Sequence, residues 1–300
     1  MTKITLRQLR YVDALARTGH FGRAAEHCAI SQPALSIQIK ELEATLGAQL
    51  FERGPRDVRL TGLGEAVATR AREVLRGVDE IAEVARAAGN TLAGRLRVGV
   101  IPTIAPYLLP RLLPRLSQTY PDLDIQIRES VTPRLLTELG EGRLDTAIVA
   151  LPISDPTLQE VPILDETLML VRPAGATGAA PRTAQDLTGL RVLLLEEGHC
   201  FRDQALSFCN LPGVVARDGL EGTSLSTLVQ MVGAGIGVTL IPEMAAEVET
   251  RSADVRVSAF QDPQPSRTVG MIWRRNSPLA EKFTGLADLV LQAAQRGVAS

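Results

Sequence analysis

Two of the chain's three cysteines fall close together, in the run Glu197-Gly198-His199-Cys200-Phe201-Arg202-Asp203-Gln204-Ala205-Leu206-Ser207-Phe208-Cys209. The residues around them bear on thiol chemistry. The thiolate is the nucleophile, and an ordinary cysteine with a pKa of roughly 8.5 is only about 3% ionised at neutral pH. A helix N-terminus and nearby cations raise that fraction, and Cys200 has His199 before it and Arg202 after it. On one continuous helix Cys200 and Cys209 face opposite sides, roughly 13 Å apart along the axis. A disulfide needs Cα atoms within about 7 Å. If the two pair, the intervening helix must partly unwind, and oxidation acts as a conformational switch. The plainer reading is two unrelated cysteines, one packed as a small hydrophobe.

The elements that position Cys200 can be read from its flanks. Residues 191–195 form a short apolar run, a predicted buried strand, and Gly198 turns the chain into a predicted helix that holds Leu206 and Phe208. Cys200 then falls near a helix N-terminus. Around this segment, short β-rich runs at 95–100, 124–129, 146–150, 168–171, 191–195, 236–241 and 268–273 alternate with helical stretches. That is the βαβ rhythm of open parallel sheets, whose ligands sit beyond strand C-termini near helix N-termini. Candidate cleft residues are Thr103, Ser130, Thr132, His199, Cys200, Thr223 and Ser224. Each Ser or Thr is also an ordinary helix cap, so the polar cleft is inferred from the set.

Composition bounds the alternatives. A length of 300 residues suits about two domains, 45% hydrophobic content is ample for real cores, and a net charge of -2 confines any nucleic-acid surface to one region. The N-terminus lacks an apolar signal core, and prolines 102, 106 and 110 break the apolar runs near 100–113, so no membrane span is predicted. The expectation is a cytoplasmic protein, where a reacting cysteine pair is transient and redox-sensing.

In the first sixty residues, Leu6, Leu9, Val12 and Ala16 mark one apolar face of a helix ending near Thr18-Gly19. Phe21, Ala24, Ala25 and Cys28 mark a short second helix. Ser31 is a good N-cap and Pro33 suits the first turn of a third helix, whose buried face is Leu35, Ile39, Leu42 and Leu46. This is a helix-turn-helix, with Gln32, Pro33, Ser36, Gln38 and Lys40 placed to meet a DNA major groove. Residues 50–61 read as a two-stranded wing with a Gly54-Pro55 tip, crowded by Arg53, Arg56 and Arg59. Through Gly64 nine basic residues face six acidic ones, a local charge of +3 suited to phosphates.

The runs Leu6 to Tyr11, Ser31 to Ser36, Phe51-Glu52-Arg53 and Leu60 to Gly64 resemble the winged helix-turn-helix of LysR-type transcriptional regulators. After it, Val67, Ala71, Val74, Val78, Ile81, Ala85 and Ala88 alternate by four and three, a coiled-coil seam that predicts a homodimer reading a dyad site in double-stranded DNA. Gly222-Thr223-Ser224-Leu225 and Gly233 to Pro242 are similar to the later pattern of the same family. The implied architecture is an all-α/winged helix-turn-helix domain (1–62), a linker and dimerisation helix (63–90) and an α/β effector domain (91–300). That last domain resembles a periplasmic binding protein, with subdomain I at about 91–164 and 267–300 and subdomain II at about 165–266. Most of the family binds a small organic inducer in its cleft, which stands as the alternative function.

The His199-Cys200 stretch with Cys209, together with 101–103, 107–110 and 267–270, is similar to the OxyR-type hydrogen peroxide sensors within that family. That resemblance implies a peroxidatic Cys200, a resolving Cys209 and a peroxide pocket of Thr103, Thr132, His199 and Arg267. It further implies a homotetramer, an altered recruitment of RNA polymerase on oxidation, and reduction by glutaredoxin or thioredoxin. Regulation rather than enzymatic turnover is expected, because a DNA-binding domain is attached and no second catalytic constellation appears. No cofactor is implied. Zinc is disfavoured, since an adjacent His-Cys followed at nine residues fits none of the usual finger spacings.

Overall fold

The computed structural model describes residues 4–54, 57–87, 89, 92–208 and 221–295. Cys209 and Arg56, both singled out above, lie outside the described residues. The chain divides into two compact units, Met1–Ala85 and Arg86–Ser300.

In the first unit α1 (Leu6–Thr18) is opened by a reciprocal Thr5–Gln8 capping box and closed by Gly19 in the left-handed conformation. Helix α2 (Phe21–His27) and helix α3 (Gln32–Leu46) follow. Ser31 caps α3 by accepting from the Ala34 amide, and Pro33 sits in its first turn, as its sequence predicts. The wing is the antiparallel pair β1 (Phe51–Arg53) and β2 (Val58–Leu60).

The buried face of α1 corrects the sequence reading. Tyr11, Val12 and Leu15 fill the core against Ala24, Leu35, Ile39 and Leu42, while Leu6 is exposed and Leu9 and Ala16 are only partly buried. The helix is apolar on two sides. Its second side, Leu6 and Leu9, joins Leu46 and the start of the next helix around an apolar surface groove.

That next helix, α4 (Gly62–Ala87), is 26 residues long. The Thr61 hydroxyl donates to the Gln49 carbonyl and accepts from the Gly64 amide, which ties the helix start to the wing. Gly64 is needed there, because a Cβ would stand 2.0 Å from the Leu50 carbonyl oxygen. Of the seam residues, Ala71 is buried, Val67 and Val78 are half-buried, and Val74 and Ile81 are exposed. The Ala85 side chain and Ala88 lie outside the described part.

The second unit contains β3 (Gly94–Val100), α5 (Ala105–Thr119), β4 (Leu123–Glu129), α6 (Thr132–Gly140), β5 (Thr146–Leu151) and β6 (Leu158–Pro173). Then come β7 (Leu194–Leu195), α7 (Cys200–Phe208), β8 (Glu221–Gly222), α8 (Leu225–Gly233), β9 (Thr239–Pro242), α9 (Glu243–Glu249), β10 (Val255–Ser258), β11 (Ser266–Arg274) and α10 (Ala280–Gln295). The main sheet runs β10-β6-β11-β5-β3-β4, with β9 paired to β6.

The expected all-parallel sheet is instead mixed. β3 pairs β4 and β5 in parallel, but β11 runs antiparallel to β5 and β6, and β6 runs antiparallel to β9 and β10. The run predicted as 168–171 is the end of a 16-residue strand. Pro162, Asp165 and Glu166 hide the rest, because polar residues and proline interrupt the apolar run by which a buried strand is read. Two cores result. One lies among β3, β5, β11, α5, α6 and α10, the other among the end of β6, β7, β9, α7 and α8. β6 and β11 pass between them, so each lobe is built from chain on both sides of the crossing.

Candidate functional site

Two surfaces emerge. On the first unit, α3 presents Gln32, Pro33 and Lys40 to solvent, with Ser36 and Gln38 half-buried. The Gln38 amide donates to Glu41 on the same helix at 2.7 Å. On the wing the exposed Arg59 pairs with Asp57 at 2.8 Å. The strand backbone at Arg53 is described but its side chain is not, and Arg56 is outside the described residues.

The second surface lies between the two lobes. Gly198 adopts a φ of +92°, the left-handed turn that lets the chain leave β7 and begin α7 at Cys200. Arg202 donates from Nη1 to the Leu195 carbonyl at 2.9 Å and so ties the first turn of α7 back to its strand. At the far end Phe208 packs edge-on to Phe260 with ring centroids 4.9 Å apart. Phe201 is buried in the second lobe, whereas Cys200, half-buried and a free thiol, packs against the core of the first. One residue step along α7 thus spans the lobe boundary.

Facing it is a cleft of about 310 Å³. Thr103, Ser130, His199, Thr223 and Ser224, all expected from the sequence, line it. Cys200, Thr132 and Arg267 do not line it. Thr132 follows the lining residue Val131, and its buried hydroxyl has no partner among the described residues. Arg267 is 3% exposed. Its Nη1 donates to the Thr103 hydroxyl at 2.8 Å and its Nη2 to the Thr103 carbonyl at 3.0 Å. Its Nε donates to Glu166 at 2.8 Å, and its guanidinium lies 5.5 Å from the Phe201 ring centroid.

Burial depresses the His199 pKa, with a smaller opposing effect from Glu196, so the imidazole is neutral at pH 7. His199, next in sequence to Cys200, therefore stands as a neutral donor or acceptor. A second cluster escaped sequence reading altogether. Tyr107, carried by α5 of the first lobe, is buried in the second lobe's core and donates to Glu249 at 2.7 Å, while Ser226 donates to the other oxygen of Glu249 at 2.6 Å. Only the aromatic in the proline-rich 106–110 run could have signalled it. Among the described residues no group of three or more His, Cys, Asp or Glu side chains is arranged to hold a metal ion, and no helix is long and apolar enough to cross a membrane.

A winged helix-turn-helix followed in the chain by a two-lobed α/β unit, whose cleft carries Thr, Ser, His and Glu side chains, defines a ligand- or signal-responsive DNA-binding regulator. The model described as bacterial regulatory helix-turn-helix protein, lysR family, matches residues 6–65, and that of the LysR substrate binding domain matches 89–295, so the chain belongs to the LysR family of transcriptional regulators. Its relatives narrow the branch. It is 41% identical over 291 residues to the DNA-binding transcriptional dual regulator OxyR of Escherichia coli K12, covering 96% of this chain and 95% of that protein. Full-length OxyR of Pseudomonas aeruginosa, solved with a cysteine-to-aspartate substitution, matches with a TM-score of 0.75 at 39% identity, covering 97% of this chain and 95% of that one. A cysteine-to-serine mutant of Corynebacterium glutamicum OxyR with hydrogen peroxide bound matches with a TM-score of 0.68 at 36% identity, covering 98% and 94%.

Proposed function

We propose that this protein is a cytoplasmic, hydrogen peroxide-sensing transcriptional regulator of oxidative-stress defence genes. The observation that carries the reading is the position of Cys200, on the first turn of one lobe's helix and packed against the core of the other. The Cys200 thiolate attacks one peroxide oxygen, the O–O bond breaks, and the departing hydroxide takes a proton to become water, leaving a sulfenic acid. The Cys209 thiol then attacks the sulfenic sulfur, a second water leaves, and a disulfide remains, the two thiols together having given up the two electrons that reduced peroxide to water. Thr103, Thr132, His199 and Arg267 form the pocket in this reading. Helix α7 holds nine residues in about 13 Å of rise, so the bond requires it to unwind, and Cys200 must leave the opposite lobe.

That displacement is the signal. In the proposed organisation, with domains at 1–62, 63–90 and 91–300, it alters how effector domains pack in a homotetramer assembled from α4-paired dimers. Gln32, Pro33, Ser36, Gln38, Lys40 and the wing arginines then meet DNA at a changed spacing, and RNA polymerase recruitment changes. A glutaredoxin or thioredoxin resets the thiols.

The cleft volume of about 310 Å³ exceeds what peroxide fills and favours a second reading, a small organic inducer. Thiol-alkylation mass spectrometry separates the two. With near-stoichiometric peroxide, the expected product is a Cys200–Cys209 disulfide with Cys28 still alkylatable after denaturation. A Cys200 that stays reduced at many equivalents, or induction that survives replacing both cysteines by Ser, overturns the redox reading.

A further inference from the structure

Glu166 and Arg267 stand directly opposite each other on β6 and β11, at the point where both strands pass from one lobe to the other. Both side chains are buried, at 4% and 3% exposure, and a buried charge pair persists only where its geometry and remaining hydrogen bonds are satisfied. They are. One oxygen of Glu166 takes the Arg267 guanidinium, and the other accepts from the Met244 amide at 2.8 Å, in the first turn of α9. Nη1 and Nη2 of Arg267 hold the two oxygens of Thr103 on the first lobe, and its guanidinium carbon lies over the Phe201 ring on the second. Because Arg267 donates to the Thr103 oxygen, the hydrogen of that hydroxyl is left to donate elsewhere, and Thr103 lines the cleft.

From this we infer that Glu166 is a positioning residue for the reaction of Cys200 with peroxide, an assignment that rests on the peroxide-sensing reading. It acts at one remove. Glu166 fixes Arg267, Arg267 fixes the Thr103 hydroxyl as a donor, and Arg267 lying over the Phe201 ring sets the residue adjoining Cys200. The carboxylate neutralises the guanidinium: one oxygen takes both Nε and Nη2, and the other, held by the Met244 amide, fixes where that oxygen stands. A displacement of about 1 Å in such an arrangement costs up to a hundredfold in rate.

Glu166→Gln tests this. The amide keeps the shape, but its nitrogen cannot accept, so one of the two bonds is lost and the guanidinium is no longer neutralised. Full-length wild type, Glu166→Gln, Glu166→Asp and Phe201→Leu are compared by stopped-flow oxidation with hydrogen peroxide and by alkylation with monobromobimane. The expected result for Glu166→Gln is a peroxide rate constant lower by about ten- to hundredfold. Alkylation should stay within about twofold, because it needs the thiolate but not the peroxide-holding geometry. Glu166→Asp, which keeps the charge, should recover part of the rate, and Phe201→Leu, which keeps apolar volume, should lose rate without losing the fold. A peroxide rate unchanged in both Glu166→Gln and Phe201→Leu overturns the assignment, as does a fall in both reactions together. Failure of wild type to react at Cys200 instead sinks the peroxide reading itself.

Discussion

Replacing Tyr107 by Phe removes one hydroxyl at the lobe boundary, and the structure sets both the size and the pH dependence of the effect. The phenol is 6% exposed and donates to Glu249 at 2.7 Å. Burial first, then the bond to Glu249 and its charge, push the Tyr107 pKa far above the ordinary phenol range. At pH 7 the lost bond is charge-assisted, worth about 1.5–3 kcal/mol when desolvated; Glu249 is only half-buried, so the lower end applies. A raised folded-state pKa means that the contribution is fully present below the unfolded value of about 10 and is lost as pH rises above it, where the unfolded chain releases a proton that the folded chain retains. The slope is about 1.4 kcal/mol per pH unit. By pH 11 wild type should therefore have lost about 1.4 kcal/mol that Tyr107→Phe cannot lose, and the difference between them should nearly vanish. Urea unfolding of both proteins at pH 7 and pH 11 measures this, followed by fluorescence of the single tryptophan, Trp273, buried in the first lobe's core. Other titrating groups cancel in the comparison. A deficit of the same size at both pH values would refute the argument that the folded phenol keeps its proton.

Two further outcomes concern the DNA-binding unit. Gly64→Ala places a methyl 2.0 Å from the Leu50 carbonyl oxygen, which neither backbone can yield without moving, so that unit should lose about 1–3 kcal/mol and melt earlier in calorimetry. Ile81 is 70% exposed on α4, and Ile81→Glu should shift the protein toward monomer in sedimentation while leaving the circular dichroism of the chain intact.

What could be read from the sequence was local. Ser31 and Pro33 announce the start of α3 within four residues, and Gly198 announces the turn before Cys200, because caps and turns are decided by neighbours. The β6–β11 crossing was hidden for the opposite reason. Glu166 meets Arg267 across 101 residues of chain, and only the pairing shows that a carboxylate inside a strand neutralises a buried guanidinium. The α1 face was misassigned because Leu6 and Leu9 are apolar but face the groove, whereas Gln8 and Tyr11 turn inward. Tyr107 looked like part of an apolar run, yet its ring belongs to the other lobe's core.

The double crossing also dictates an order of assembly. The first lobe is incomplete until β11 lies between β5 and β6 and α10 covers α5, and both elements leave the ribosome after the whole second lobe. The helix-turn-helix unit needs no such wait, since its contacts close within the first 85 residues. During synthesis a finished DNA-binding head therefore precedes a sensor whose β5 and β6 edges stand open, and unpaired edges invite association with other chains. The interval between translating β6 and translating β11 is when those edges lack the strand that pairs them.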